Sequence, residues 1–295
     1  MTKIKVYSNK RDKYVTVDIA NIDDESYQNI RNNFIELLET NRPYLAIAKA
    51  YVFAIDLCPE ANPSDIWQHI IYRTYIDEGN NEQSWKRASG QGFEVAFAEI
   101  YNPRLAVYGI RLVVLSKNSA IRALKEMKLE GIIEPSKMDI AIEGNCDLQG
   151  NEWRIFGVIH GKTSLAERIK DDAPASRIIM EGGFVSIAAT LDSKSFPPPH
   201  GDGINYGELG GRTIARGVKE NQQKRNYFEK DGDFTNCYSY NLRTPSSPII
   251  TSSGCRIKTL SFAENQPDEL VNDIQTFWVA IKAEICKKMP VTDVE

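Results

Sequence analysis

The chain has no apolar run long enough to span a bilayer, and its basic N-terminal stretch, MTKIKVYSNKRDKYV, lacks the apolar centre of a secretory leader. Internal repeats and low-complexity segments are missing too. The five cysteines (Cys58, Cys146, Cys237, Cys255, Cys286) are widely spaced, odd in number and form no CxxC pair, which excludes zinc-ribbon spacing. They read as buried or incidental thiols in a reducing compartment, and the expected location is cytoplasmic. An excess of charge is also lacking: 36 Lys and Arg against 40 Asp and Glu leave a net charge of −4. That argues against a general nucleic-acid coat, yet allows an enzyme whose basic residues line a single cleft. A chain of 295 residues, 42% hydrophobic and 26% charged, is one large globular domain or two modest ones.

What is present changes character near residue 85. Residues 25–80 read as helical. Ser26 suits a cap ahead of Tyr27, Ile30, Phe34, Leu37 and Leu38, which fall at helical spacing. RPYLAIAKAYVFAIDL predicts a second helix, and NPSDIWQHIIYRTYI a third with Ser64 as its cap. The polar, turn-rich DEGNNEQS (77–84) marks a boundary. Residues 1–85 are therefore read as a helical accessory region, and residues 86–295 as the main domain.

Beyond that boundary, SGQGFEVAFAEIYN (89–102) predicts an amphipathic helix, AVYGIRLVVLS (106–116) a buried strand, and SAIRALKEMKLEG a short helix closed by Gly131. KMDIAIEG (137–144) alternates like a strand and turns at NCDLQGN. EWRIFGVIHGK (152–162) is its hairpin partner. SLAERIKDD opens a helix, and GFVSIAATLDSKSF (183–196) is one more strand. This order predicts an α/β core whose middle strands run antiparallel. After the Pro- and Gly-punctuated FPPPHGDGINYGELGGR, a β-leaning stretch (234–262) leads to a closing helix. Its apolar stripe, Leu270, Ile274, Phe277, Trp278 and Ile281, suits core or dimer packing.

Gly161-Lys162-Thr163 looks like the end of a phosphate-binding loop. Such a loop, G-x-x-x-x-G-K-[ST], needs backbone N–H groups curled around the phosphates. Counting back from Gly161, the first glycine should be residue 156, which is Phe; Gly157 is one place late. RIFGVIH stays strand-like to the lysine and leaves no room for a cradle. A nucleotide-binding protein, with the acid Asp192 ending SIAATLD on the metal side, is the weaker alternative. Most strand-end lysines are simply solvated, but Lys162 ends one hairpin arm while Asp139 begins the other. The two can meet across the ladder, at a sheet edge suited to a divalent metal and a phosphodiester.

With these residues, GKTSLAER (161–168) resembles the PD-(D/E)XK nuclease superfamily, and within it the type II restriction endonucleases that cut CCGG-, CCNGG- or CCWGG-type sites. In that group the catalytic lysine is followed by Thr-Ser-Leu-Arg-Glu-Arg. Lys162, Thr163, Ser164, Leu165, Glu167 and Arg168 match, and Ala166 replaces an arginine that reads guanine. As a topology the resemblance covers residues 89 to about 192; only the 161–168 segment is specific. It implies an α/β fold with a restriction-endonuclease-like core, a mixed central sheet flanked by helices, behind the helical N-terminal region.

The resemblance also implies roles. Asp139, Lys162 and Glu94 would be catalytic, with Asp139 and Glu94 as the metal ligands, although Met138 stands where the family has proline. His160 occupies the acid place of (D/E)XK. CCGG-type enzymes recruit an acid from the following helix instead, but the matching positions here are Ala175 and Ser176. Asp171, Asp172 and Glu181 are the candidates for the additional acid, with Asp172 carried as its representative. A literal D-x-K, Asp192-Ser193-Lys194, is an alternative catalytic pair.

The expected reaction is Mg²⁺-dependent hydrolysis of double-stranded DNA, leaving 5′-phosphate ends at a C/G-containing palindromic site. Mg²⁺ prefers carboxylate and water oxygens, and Lys162 would stabilise the charge that develops on the phosphate. Glu167 suits accepting from cytosine N4–H, and Arg168 donating to guanine O6 and N7. Arg177, Arg212, Arg216 and QQKR (222–225) are candidates for phosphate contacts, and His200 and Asp202 for the cleft lining. A palindromic duplex site implies a homodimer. A cognate DNA methyltransferase would act on the same site without being expected to bind. A non-enzymatic or repair-type DNA-binding relative on the same core is the other alternative.

Overall fold

The chain opens with an antiparallel hairpin, β1 (Thr2–Ser8) and β2 (Lys13–Ile19), where the sequence reading expected helix or left the chain unassigned. The reason is alternation: Val15, Val17 and Ile19 share one face, and Val17 and Ile19 are buried. The structure is a computed structural model that describes residues 1–8, 13–147, 152–165, 168–193, 204–210, 223–263 and 268–287.

Helix α1 (Asp24–Thr40) is capped by Asp23, whose carboxylate accepts from the Ser26 amide at 2.7 Å, so the cap lies three residues ahead of the expected Ser26. Helix α2 (Pro43–Leu57) follows. Next come α3 (Pro63–Asp65), a π-helical stretch (Ile66–Ile71) and α4 (Tyr72–Asp77), capped by Asn62 in place of the expected Ser64. Helix α5 (Glu82–Ala106) then runs straight across the boundary expected at residue 85. Phe34, Tyr51, Trp67, Phe93 and Phe97 from these helices share one continuous core with Ile140, Ile142, Phe156 and Ile159. The N-terminal helices and the sheet therefore bury each other's apolar faces.

The remaining elements are β3 (Ile110–Val114), α6 (Lys117–Glu126), β4 (Ile140–Asn145), β5 (Trp153–Lys162), α7 (Arg168–Glu181), β6 (Val185–Thr190), α8 (Gln223–Glu229), β7 (Asn236–Ser239), β8 (Ile257–Thr259) and α9 (Glu269–Ile285). Strands β3 to β8 form one six-stranded sheet in chain order. Pairing is antiparallel from β3 to β5 and parallel from β5 to β8. The antiparallel middle expected from the sequence is thus confined to β3–β5. The α7 crossover forces β6 to run parallel to β5. The sheet is mixed and flanked by helices, as expected.

Leu270, Ile274 and Trp278 of α9 are buried against the sheet. Gly144 is what lets α9 approach, since a Cβ there would stand 2.5 Å from the Trp278 indole. The apolar stripe is core packing over this length. The helix end also brings Cys286 to Cys146, just past β4, and the two form a disulfide. That corrects the reading of all five cysteines as unpaired thiols; Cys58, Cys237 and Cys255 are free and buried. Among the described residues no helix is long and apolar enough to cross a membrane.

Candidate active site

Asp139 immediately precedes β4, and its carbonyl accepts from the Leu115 amide at 2.9 Å, continuing the β3–β4 ladder. Its carboxylate faces the neighbouring strand. Asp139 Oδ2 accepts from the Gly161 amide at 3.1 Å and from Lys162 Nζ at 2.5 Å. Lys162 ends β5, and its Nζ also stands 3.2 Å from Asp172 Oδ2 on α7. The three side chains are largely withdrawn from solvent, with 13%, 14% and 7% exposed for Asp139, Lys162 and Asp172. Burial by itself lowers the pKa of the Lys162 ammonium. The Asp139 and Asp172 carboxylates override it and leave the pKa raised, so the lysine is a fixed cation.

Glu94 approaches the same edge from α5. A Cβ at Gly161 would stand 3.3 Å from Glu94 Cγ, so the absent side chain at 161 makes this approach possible. Glu94 and Asp139 line one cleft of about 560 Å³, together with Leu115, Ser116, Lys117 and Ser136. Among the described residues no three His, Cys, Asp or Glu side chains converge at metal-ligand spacing. Two carboxylates on an open cleft nevertheless fit a hard divalent cation, which takes oxygen donors and keeps several waters. Strand β5 stays extended to Lys162, and the Gly161 amide is already given to Asp139. No phosphate cradle precedes the lysine, which removes the structural basis for the nucleotide-binding alternative.

His160, at the acid place of (D/E)XK, is buried. Its Nε2 lies 3.0 Å from Ser186 Oγ, which in turn is 2.6 Å from Ser176 Oγ. Burial depresses its pKa and keeps the ring neutral. Ser176 is thus engaged behind the sheet, and Ala175 is core. Of the three acids left open by the sequence, Asp171 and Glu181 point to solvent, and Asp172 meets Lys162.

Asp192 occupies a different environment from the cleft. It is fully buried at φ 44°, and accepts from the Glu208 amide (2.6 Å), the Leu209 amide (3.3 Å) and the Thr244 hydroxyl (2.7 Å). Burial raises its pKa to about 7 against these hydrogen bonds. Gly207, at φ 68°, has no room for a Cβ, which would fall 2.1 Å from the Asp192 carboxylate. The residue clamps two loops together; Lys194, its proposed catalytic partner, lies outside the described residues.

Glu167 is also outside the described residues, and Arg168 is placed only as the first residue of α7. The segment between Lys162 and α7 is anchored by Leu165, buried with Ile169, Phe228 and Phe234, and by Ser164 donating to Glu208 at 3.3 Å. Among the phosphate-contact candidates, Arg177 pairs with Asp233 at 2.6 Å and Lys224 with Glu208 at 2.6 Å. Arg225 is buried and donates to the Leu209 and Pro245 carbonyls, so it ties loops together and does not face a ligand. Arg212, Arg216, Gln222, His200 and Asp202 are outside the described residues. Sequence reasoning missed Lys137, whose Nζ lies 3.5 Å from Asp172 Oδ1; only its place two residues ahead of Asp139 signalled it.

Comparison with known proteins finds similarity to restriction endonucleases. The family described as BsaWI restriction endonuclease type 2 matches residues 119–266. The type II restriction enzyme AgeI of Thalassovita gelatinovora is 46% identical over 266 residues, which is 87% of this chain and 92% of that protein. A crystal structure of specific restriction endonuclease AgeI in complex with DNA matches with a TM-score of 0.84 at 41% identity, covering 94% of this chain and 99% of that one.

Proposed function

The chain belongs to the type II restriction endonucleases of the BsaWI family, and from that membership we propose that its sequence-specific cleavage of DNA is carried out at the sheet edge where Asp139, Glu94 and Lys162 meet. The observation that carries this reading is the placement of the Lys162 ammonium between Asp139 and Asp172, beside the cleft that Glu94 shares with Asp139. Double-stranded DNA is the substrate, in keeping with the DNA complex of the AgeI relative.

Asp139 and Glu94 are the residues to hold Mg²⁺, which when bound supplies charge neutralisation at the phosphate and an activated water. Lys162 donates to a non-bridging oxygen of the scissile phosphate and stabilises the extra negative charge of the transition state. Its place between two carboxylates suits a cation that acts as an electrostatic stabiliser. Asp172 is the additional acid, and it acts by holding Lys162 in place. Attack of water in line with O3′ breaks the P–O3′ bond and leaves 5′-phosphate and 3′-hydroxyl ends.

Glu167 and Arg168 are the base-reading pair, through cytosine N4–H and guanine O6 and N7, at a C/G-containing palindrome of the CCGG type. Support comes from Leu165 and Ser164, which anchor the segment just ahead of them. A palindrome read by two-fold symmetry makes the active species a homodimer on DNA, and a cognate methyltransferase would protect the same site. Digestion of plasmid DNA with and without Mg²⁺, followed by sequencing of the fragment ends, tests this reading. Discrete Mg²⁺-dependent fragments that share one end sequence are expected. Random degradation, or cleavage that ignores sequence, would overturn the base-reading part.

A further inference from the structure

Lys117 stands on the same cleft as Glu94 and Asp139, and its backbone is held in register with theirs. It is the first residue of α6, directly after the cap Ser116, whose hydroxyl accepts from the Ser119 amide at 3.3 Å. Leu115, just before the cap, donates its amide to the Asp139 carbonyl at 2.9 Å. The segment that carries Lys117 is therefore tied by a ladder bond to the residue that carries the Asp139 carboxylate. Lys117, Ser116, Glu94, Glu134 and Asp139 all line the cleft of about 560 Å³.

Local chemistry does not explain a lysine at this place. A helix N-terminus carries partial positive charge and favours Asp or Glu, yet the first turn of α6 has no acid and begins with a cation. Among the described residues Lys117 forms no ion pair, although the carboxylates of Glu94, Glu134 and Asp139 line the same cleft. Lys117 is exposed. A cation set against the helix dipole and left open to solvent points to an anion supplied from outside.

The charges already placed at this edge leave such an anion unmatched. A divalent metal on Asp139 and Glu94 is balanced by those two carboxylates before DNA arrives. Lys162 serves the scissile phosphate, and Lys137 is paired with Asp172 at 3.5 Å. Every phosphate of DNA is charged, so a strand laid along the cleft brings further anions beside the scissile one. Lys117 is the cation lining the cleft that is left to meet one of them.

We propose that Lys117 binds a phosphate flanking the scissile one on the cleaved strand, and so seats the DNA backbone across the metal-binding carboxylates. This rests on the reading of the Asp139, Glu94 and Lys162 edge as the catalytic centre and adds a backbone contact to it. A phosphate contact fixes position without reading sequence, so Lys117 contributes to affinity for cognate and unrelated duplex alike.

Two binding measurements on synthetic duplexes test the proposal, both made in Ca²⁺, which takes the same oxygen donors as Mg²⁺. The first is the salt dependence of Kd. Lys117→Ala should bind cognate and unrelated duplex about three- to tenfold more weakly, with a salt slope smaller by about one per protomer. Lys117→Arg should stay within about twofold of wild type. The Tm of Lys117→Ala should equal or exceed that of wild type, because the substitution removes a cation from the positive end of the helix dipole. The second measurement replaces phosphates of the cleaved strand, one at a time, with neutral methylphosphonate. Next to the cut, this change should weaken wild type by the same several-fold, and Lys117→Ala no further. An unchanged salt slope, losses that multiply at every position flanking the cut, or a weaker Kd accompanied by a lower Tm would overturn the contact. Coupling to a phosphate remote from the cut would overturn the placement beside the scissile phosphate. A wild-type protein that fails to cut in Mg²⁺ would remove the catalytic reading as well, whereas absent coupling in a protein that cuts would remove Lys117 alone.

Discussion

Asp172 stands 3.2 Å from the Lys162 ammonium, on the turn of α7 immediately ahead of Ser176. Residues 172 and 176 share one face of that helix because they are four apart. The CCGG-type pattern points to the position of Ser176, which here is bonded to Ser186 behind the sheet. On the proposed reading the acid is Asp172, one helical turn nearer the lysine, at a position the motif does not name.

If Asp172 holds Lys162 for chemistry, Asp172→Ala should lower the single-turnover cleavage rate by about 100-fold or more. Asp171→Ala and Glu181→Ala, at solvent-facing positions, should stay within about threefold of wild type. Parallel rate measurements on the three variants decide it. A larger loss at Asp171 or Glu181 would move the additional acid elsewhere.

Gly161→Ala tests the approach of α5. The new Cβ would press on Glu94 Cγ from 3.3 Å, displacing the carboxylate by tenths of an ångström while the helix remains packed. The Mg²⁺ concentration for half-maximal cleavage should rise several-fold, with a Tm change of no more than about 4 °C. An unchanged Mg²⁺ dependence would mean that Glu94 does not serve the metal.

Two buried groups make opposite contributions to stability against pH. Burial pushes His69 down to about 4, so its contribution is complete above 6.5 and lost as the pH falls towards 4. Burial pushes Asp192 up to about 7, so its contribution is complete below 3.8 and lost as the pH rises through 7. Relative to wild type, His69→Gln should therefore gain stability as the pH falls from 6.5, and Asp192→Asn should gain as it rises towards 8. Tm measured in small pH steps for all three proteins checks the signs; parallel curves would contradict them.

The order of the core elements was legible because hydrophobic period and turn residues change at each junction, from the Gly131 turn to the hairpin at NCDLQGN. Asp139 and Lys162 were legible as a pair because they end opposite arms of that hairpin. The helix caps slipped because Asp23 and Asn62 outcompete the nearby serines, a local contest that spacing alone does not settle. Asp172 was legible as a candidate for the additional acid, but its choice over Asp171 and Glu181, like Lys137 and the Cys146–Cys286 bond, was beyond reach for a different reason. Each depends on where a crossover helix or the closing helix lands on the sheet, and only tertiary packing fixes that.

The most direct test compares wild type with Lys162→Ala on cognate duplex, scoring cleavage in Mg²⁺ and binding in metal-free buffer. Wild type should cut into discrete fragments. Lys162→Ala should lose at least about 100-fold in rate while binding the same duplex within a few-fold. A Lys162→Ala protein that cuts at the wild-type rate would contradict the assignment of the sheet edge as the catalytic centre.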